Sequence, residues 1–119
     1  MTDLIAFVSE GGKPAWEHTF RVIDNQEWSN IYVLCNKEGK NNYKPKKKAN
    51  FILIDKTKTT EELRNYLQSY FKDKIKDFEV AVNMISGDGK EHTALLSALI
   101  KLGVGIRLVV LTREGIKEI

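Results

Sequence analysis

The stretch Phe78-Glu79-Val80-Ala81-Val82-Asn83-Met84, followed by Ile85-Ser86-Gly87-Asp88-Gly89-Lys90 and then Glu91 to Leu102, decides how this chain is read. Its first part is almost continuously apolar, which predicts a strand buried inside a sheet. The middle part sets two glycines around an aspartate, the composition of a turn. In the last part Leu95, Leu96, Leu99, Ile100 and Leu102 follow helical spacing with little polar surface, and Gly103 is placed to close the helix. Strand, glycine-rich turn and helix together turn backbone N–H groups and a helix N-terminus toward an anion. Lys90 stands where an ammonium group can join those donors.

The same pattern occurs once more, at the start of the chain. Leu4-Ile5-Ala6-Phe7-Val8 predicts a strand buried on both faces. It ends in Ser9-Glu10-Gly11-Gly12-Lys13-Pro14, a second glycine-rich turn with a proline placed to open a helix. That helix carries Trp16, Phe20 and Ile23 on its apolar side. Ile31 to Cys35 and Phe51 to Ile54 read as two further strands, separated by a lysine-rich loop. Thr59-Thr60-Glu61-Glu62 has the form of a capping box and opens a helix through Leu63, Tyr66 or Leu67, and Tyr70 with Phe71, to about Ile75. Ile106 to Leu111 is the last predicted strand, and Thr112 to Ile119 is read as a polar tail.

Strands alternating with helices predict an α/β fold: a three-layer Rossmann-like sandwich, a mostly parallel sheet of about five strands with helices on both faces. If the chain winds outward from the first strand and then crosses back, the first and fourth strands become central neighbours. Ligands of open α/β sheets bind beyond the carboxyl ends of such strands. Both glycine-rich turns are expected to meet there.

Composition narrows the classes. The 119 residues are expected to form one domain, 1–119, with 42% apolar and 29% charged residues. There is no apolar run of the roughly 20 residues needed to span a bilayer, so no membrane partner is expected. Nor is there a signal-peptide pattern, and the lone Cys35 has no partner for an internal disulfide, which together point to the cytoplasm. Lys37, Lys40, Lys44, Lys46, Lys47 and Lys48 face a single acid, Glu38. This loop reads either as a solvated connection or as a nucleic-acid contact centred on Lys44 to Lys48.

Spacing excludes several chemistries. A P-loop needs glycine where Met84 stands and Ser or Thr where Glu91 stands. A dinucleotide fingerprint would put the bulky His92 where close helix packing requires a small residue. Two histidines and one cysteine form no metal-ligand pattern, so neither metal nor cofactor is expected. Ser9 and Ser86 lack a nucleophile-elbow context.

Asn83-Met84-Ile85-Ser86-Gly87-Asp88-Gly89-Lys90-Glu91-His92-Thr93 resembles the fourth-strand motif of the CRISPR-associated Rossmann-fold (CARF) domains. In that motif a strand ends in a polar residue, followed by Ser or Thr, glycine, small residues and lysine, then a helix rich in Ala and Leu. Asp88-Gly89 stands where many members have Gly-Thr. Phe7-Val8-Ser9 and the turn after it resemble the family's other ligand segment.

The resemblance implies binding of cyclic oligoadenylates, the second messengers of type III CRISPR antiviral defence, with cyclic tetra-adenylate the leading candidate. It also implies a homodimer, with the ring lying across the two-fold axis. The implied ligand-binding residues are Ser9, Glu10, Gly11, Gly12, Ser86, Gly87, Asp88, Gly89 and Lys90. A stand-alone domain of this kind is either a sensor or a ring nuclease. In the second case cleavage needs no metal, because the ribose 2′-hydroxyl attacks the adjacent phosphate in line. Lys90 would then take the phosphoryl charge and Ser9 would orient the ribose or phosphate. Two readings from other classes stay open: a nucleic-acid-binding accessory protein acting through the lysine loop, and a purely structural interaction domain. Ser86 is read either as a ligand contact or as the cap of the following helix, and Asp88 as turned away or capping local amides. His92 is read as helix surface or acid–base group, and Lys13 as a pocket-rim charge or a solvated lysine.

Overall fold

The computed structural model describes residues 1–119. Its elements follow in the order β1 (Leu4–Val8), α1 (Gly12–Asp24), β2 (Ile31–Cys35), α2 (Lys37–Asn41), β3 (Asn50–Leu53), α3 (Thr60–Lys72), β4 (Glu79–Asn83), α4 (Gly89–Lys101), β5 (Gly105–Thr112) and β6 (Gly115–Glu118). One six-stranded sheet has the order β3-β2-β1-β4-β5-β6, with β1 to β5 parallel and β6 antiparallel to β5. The chain winds outward from β1 through β2 to β3, then returns to lay β4 against β1, with Leu4 opposite Ala81 and Ala6 opposite Asn83. The switch point therefore falls between β1 and β4.

Strand side chains alternate in direction, so β1 supplies two separate clusters. Ile5 and Phe7 pack with Leu63, Leu67 and Phe71 of α3 and with Leu95 and Leu99 of α4. Leu4, Ala6 and Val8 pack with Trp16, Phe20 and Ile23 of α1. All five residues of β1 and of β2 are buried, as their uninterrupted apolar pattern requires. Two predicted helix ends hold, while α1 begins at Gly12 ahead of Pro14, α3 stops at Lys72 short of Ile75, and α4 begins at Gly89 ahead of Glu91. Thr59 and Glu62 form the reciprocal cap of α3, and Gly103 at φ +73° closes α4, with Val104 donating to the Leu99 carbonyl and Gly103 to that of Ile100.

Three expectations are corrected. The sheet has six strands rather than five, because the polar tail folds back as β6. A turn at Arg113 and Glu114, held by Thr112 Oγ1, returns the chain along β5, and Ile116 packs on the α1-side cluster. The lysine-rich loop contains α2, capped by the Asn36 side chain on the Gly39 amide. Gly39 is obligatory here, since a Cβ would stand 1.9 Å from the Val8 carbonyl oxygen. Phe78 does not enter the buried strand: β4 begins at Glu79 and Phe78 is 92% exposed. No helix is long and apolar enough to cross a membrane.

Candidate functional site

Because β1 and β4 are parallel neighbours, both glycine-rich turns leave the same edge of the sheet side by side. Hydrogen bonds spanning 76 to 82 residues of sequence join them. Ser86 Oγ accepts the Ser9 amide at 3.0 Å and donates to the Glu10 carbonyl at 2.9 Å. The Gly87 amide donates to the same carbonyl at 2.7 Å. Ser9 Oγ donates to Glu91 Oε1 at 2.7 Å, and Trp16 Nε1 donates to the Ser9 carbonyl at 2.8 Å. His92 Nε2 lies 2.8 Å from the Ser86 carbonyl. A carbonyl only accepts, so this ring nitrogen carries the proton. The imidazole also stands edge-on against Phe7 at 5.0 Å, which pins it.

The two helix N-termini beyond these turns differ. At α4, Asp88 Oδ1 accepts the Glu91 amide at 2.9 Å, and the Asp88 amide donates to Glu91 Oε1 at 3.3 Å. This reciprocal box supplies negative charge to the helix from within the chain. At α1, Gly11 has φ +107° and no side chain caps the helix, while the first turn holds no acid. Gly11, Gly12 and Lys13 are all exposed.

The structure thus gathers all nine sequence-predicted residues at one rim, but in different roles. Ser9 and Ser86 are 2% and 0% exposed, with their hydroxyls bonded across the two turns. Ser86 is not the α4 cap; Asp88 is. Glu10 forms an ion pair with Lys56. Gly87 needs its φ of +103°, and a Cβ there would come 2.7 Å from His92 Nε2. Asp88 and Gly89 are exposed, and the half-buried Lys90 donates from Nζ to the Lys56 carbonyl at 3.1 Å.

Sequence reading missed three participants. Glu91, 2% exposed, accepts bonds from both turns. An acid three residues after Asp88 was the available signal, since that spacing is a capping box. Lys56, on the turn after β3, had no local signal at all. The third is a cluster beneath the rim: buried Asn83 donates from Nδ2 to the Val109 carbonyl at 2.9 Å and lies 3.2 Å from His18 Nε2. The Leu111 amide reaches the same His18 nitrogen at 3.4 Å. With two N–H donors directed at it, that nitrogen is an acceptor, and burial pushes the His18 pKa below its ordinary value.

Ile54, Lys56, Asp88, Lys90 and Glu91 enclose a cavity of about 200 Å³ beside the turns. A larger concavity of about 530 Å³ lies between β3 and α3, lined by Leu53, Asp55, Lys58, Glu62, Leu63, Asn65 and Tyr66. It shares no residue with the glycine-rich turns. Its two carboxylates serve local structure, Asp55 bonding Thr57 and Glu62 bonding Thr59, and those bonds hold both below the usual carboxylate range. Around the rim Lys13, Lys56 and Lys90 balance Glu10, Asp88 and Glu91 in formal charge. Affinity for an anion would therefore come from where groups point, not from net charge. In the lysine loop, Lys44 pairs with Glu17 at 2.7 Å and Lys47 with Glu27 at 3.8 Å, which reduces the free positive charge there. No protein-family model matches the chain, and no curated protein matches it.

Proposed function

We propose that this chain is a CARF-like receptor that binds a cyclic oligoadenylate, cyclic tetra-adenylate foremost, at the joined turns beyond β1 and β4. One observation carries the reading. Two glycine-rich turns far apart in sequence are fastened together at the switch point of a parallel sheet, where ligands of such sheets bind. Exposed Gly11, Gly12 and Lys13 at an uncapped helix start would face phosphate, with Lys90 contributing from the second turn. Ser9 and Ser86 act in this reading by holding the turns in register, since their hydroxyls are already engaged. The architecture is read as a three-layer Rossmann-like sandwich, supported by the separate packing of α1 and of α3 with α4 on alternate residues of β1.

The active form is proposed to be a homodimer with the ring shared across the axis. Support comes from partly exposed apolar side chains on α4 (Leu96 and Ile100) and on β5 (Ile106, Leu108 and Val110), two elements in contact with each other. Ile100 alone is 69% exposed. Surfaces of this kind mark association sites. A cytoplasmic role in type III CRISPR signalling follows from the ligand.

Calorimetric titration with cyclic tetra- and hexa-adenylate tests the reading. Binding is expected, with Lys90→Ala weakening it by about 1.5–3 kcal/mol, the range for a charged hydrogen bond. No heat and no rise in melting temperature with either ring would overturn it. Chromatography of the same mixtures, without added metal, separates receptor from nuclease: linear adenylates would add ring cleavage, and an intact ring leaves binding alone.

A further inference from the structure

We infer that Lys56, on the turn after β3, is a third phosphate-binding group of this site, held in reserve by Glu10; the inference rests on the reading of the joined turns as an anion site. The ammonium of Lys56 is paired with the Glu10 carboxylate, while its backbone carbonyl accepts Lys90 Nζ at 3.1 Å. Both lysines line the same cavity of about 200 Å³, ample for one phosphate group when a water occupies about 30 Å³. The carboxylates lining that cavity, Asp88 and Glu91, already serve the amides at the start of α4, and Glu91 also takes the Ser9 hydroxyl.

Glu10 differs from them. Its backbone carbonyl holds the two turns together, but its carboxylate serves Lys56. The Lys56 side chain is 62% exposed and that of Glu10 37%, so the pair is screened by water and easily exchanged. A phosphodiester carries the same single charge as a carboxylate, but its two non-bridging oxygens can accept from both ammonium groups at once, whereas Glu10 pairs with Lys56 alone. It would draw Lys56 away from Glu10 and bring it alongside Lys90. The β3 turn would then become part of the ligand contact, and Glu10 would tune affinity by competing for the lysine.

Two variants test this with opposite signs. Lys56→Ala should weaken cyclic tetra-adenylate binding about tenfold, as for a lost charged contact. Glu10→Gln should tighten it about threefold, by releasing the lysine from an exposed ion pair. Neither change touches the backbone bonds between the turns. A second readout uses the wild-type protein and inorganic pyrophosphate: the side-chain nitrogen resonances of Lys56 and Lys90 should both move on titration. If wild type binds the ring and both variants bind equally well, or if Lys90 alone responds to pyrophosphate, the inference is overturned. If wild type ignores the ring while both lysine resonances move with pyrophosphate, the nucleotide reading fails and the two-lysine cleft stands.

Discussion

The starts of α1 and α4 look alike as sequence and behave as opposites in the folded chain. Each follows a buried strand, each contains two glycines, and each has a lysine next to the second glycine. At α4 the helix N-terminus is filled by the chain's own carboxylates, Asp88 and Glu91, with Ser86 and Glu91 buried beneath it. At α1 there is no side-chain cap, no acid in the first turn, and an exposed Gly-Gly-Lys. The difference teaches that a glycine-rich turn offers donors only where nothing local has taken them. The α4 turn is thus a rigid platform that contributes the Lys90 side chain, and the α1 turn holds the open amides.

Gly87→Ala should break that platform most severely. It combines a positive φ with a Cβ 2.7 Å from His92 Nε2, and should cost about 3 kcal/mol in urea unfolding. Gly12→Ala, at φ +75° with only Pro14 Cδ nearby at 3.9 Å, should cost about 1 kcal/mol. Equal losses would erase the distinction between a packed turn and an open one.

Glu91→Ala should come next, at about 2 kcal/mol, because it removes the reciprocal half of the capping box and leaves the buried Ser9 hydroxyl without its acceptor. Glu91→Gln keeps the accepting oxygen and should lose less than half as much. A glutamine as damaging as alanine would show that charge, rather than the bond to Ser9, is what the platform needs.

Lys13→Glu sharpens the contrast from the α1 side. An acid in that uncapped first turn should stabilise the protein by about 0.5 kcal/mol through the helix dipole. The same change should weaken binding of an anionic ligand. Stability and affinity moving together would argue that the α1 start is not where the anion sits.

The smallest effect expected is on pH. The folded-state pKa of His18 is lowered from 6.5 by burial, so the unfolded chain binds the proton more readily. The stabilisation is fully present above about pH 6.5 and is lost as pH falls through the lowered folded value. His18→Gln should flatten that part of the stability profile. An unchanged slope would separate the Asn83 cluster from the acid response.

Much of the fold was legible because its signals are local. Uninterrupted apolar runs marked β1 and β2, and the Thr59–Glu62 spacing marked the start of α3. β6 was not legible in the same way. Its Ile116-Lys117-Glu118 has no apolar run and becomes a strand only because β5 presents a free edge. Phe78 failed for the converse reason: its apolar character was local, but the ladder with β5 begins at Glu79 opposite Gly105 and leaves Phe78 outside it.

For the site, the residue types at the two turns were readable, and so was their convergence once parallel winding was assumed. Which donors stay free was not. Ser9 and Ser86 are short polar residues that could equally face a ligand or each other, and only the placement of β4 beside β1 directs them inward. Lys56 reaches the rim because β3, two strands away from β1, ends at the same edge of the sheet. Sequence by itself determined β1 to β5, α1, α3, α4 and the two turns, because periodicity and capping act over a few residues. Tertiary structure decided which turn is closed, which is open and which distant lysine joins them. Those outcomes depend on contacts spanning 77 residues and more, which local preference does not encode.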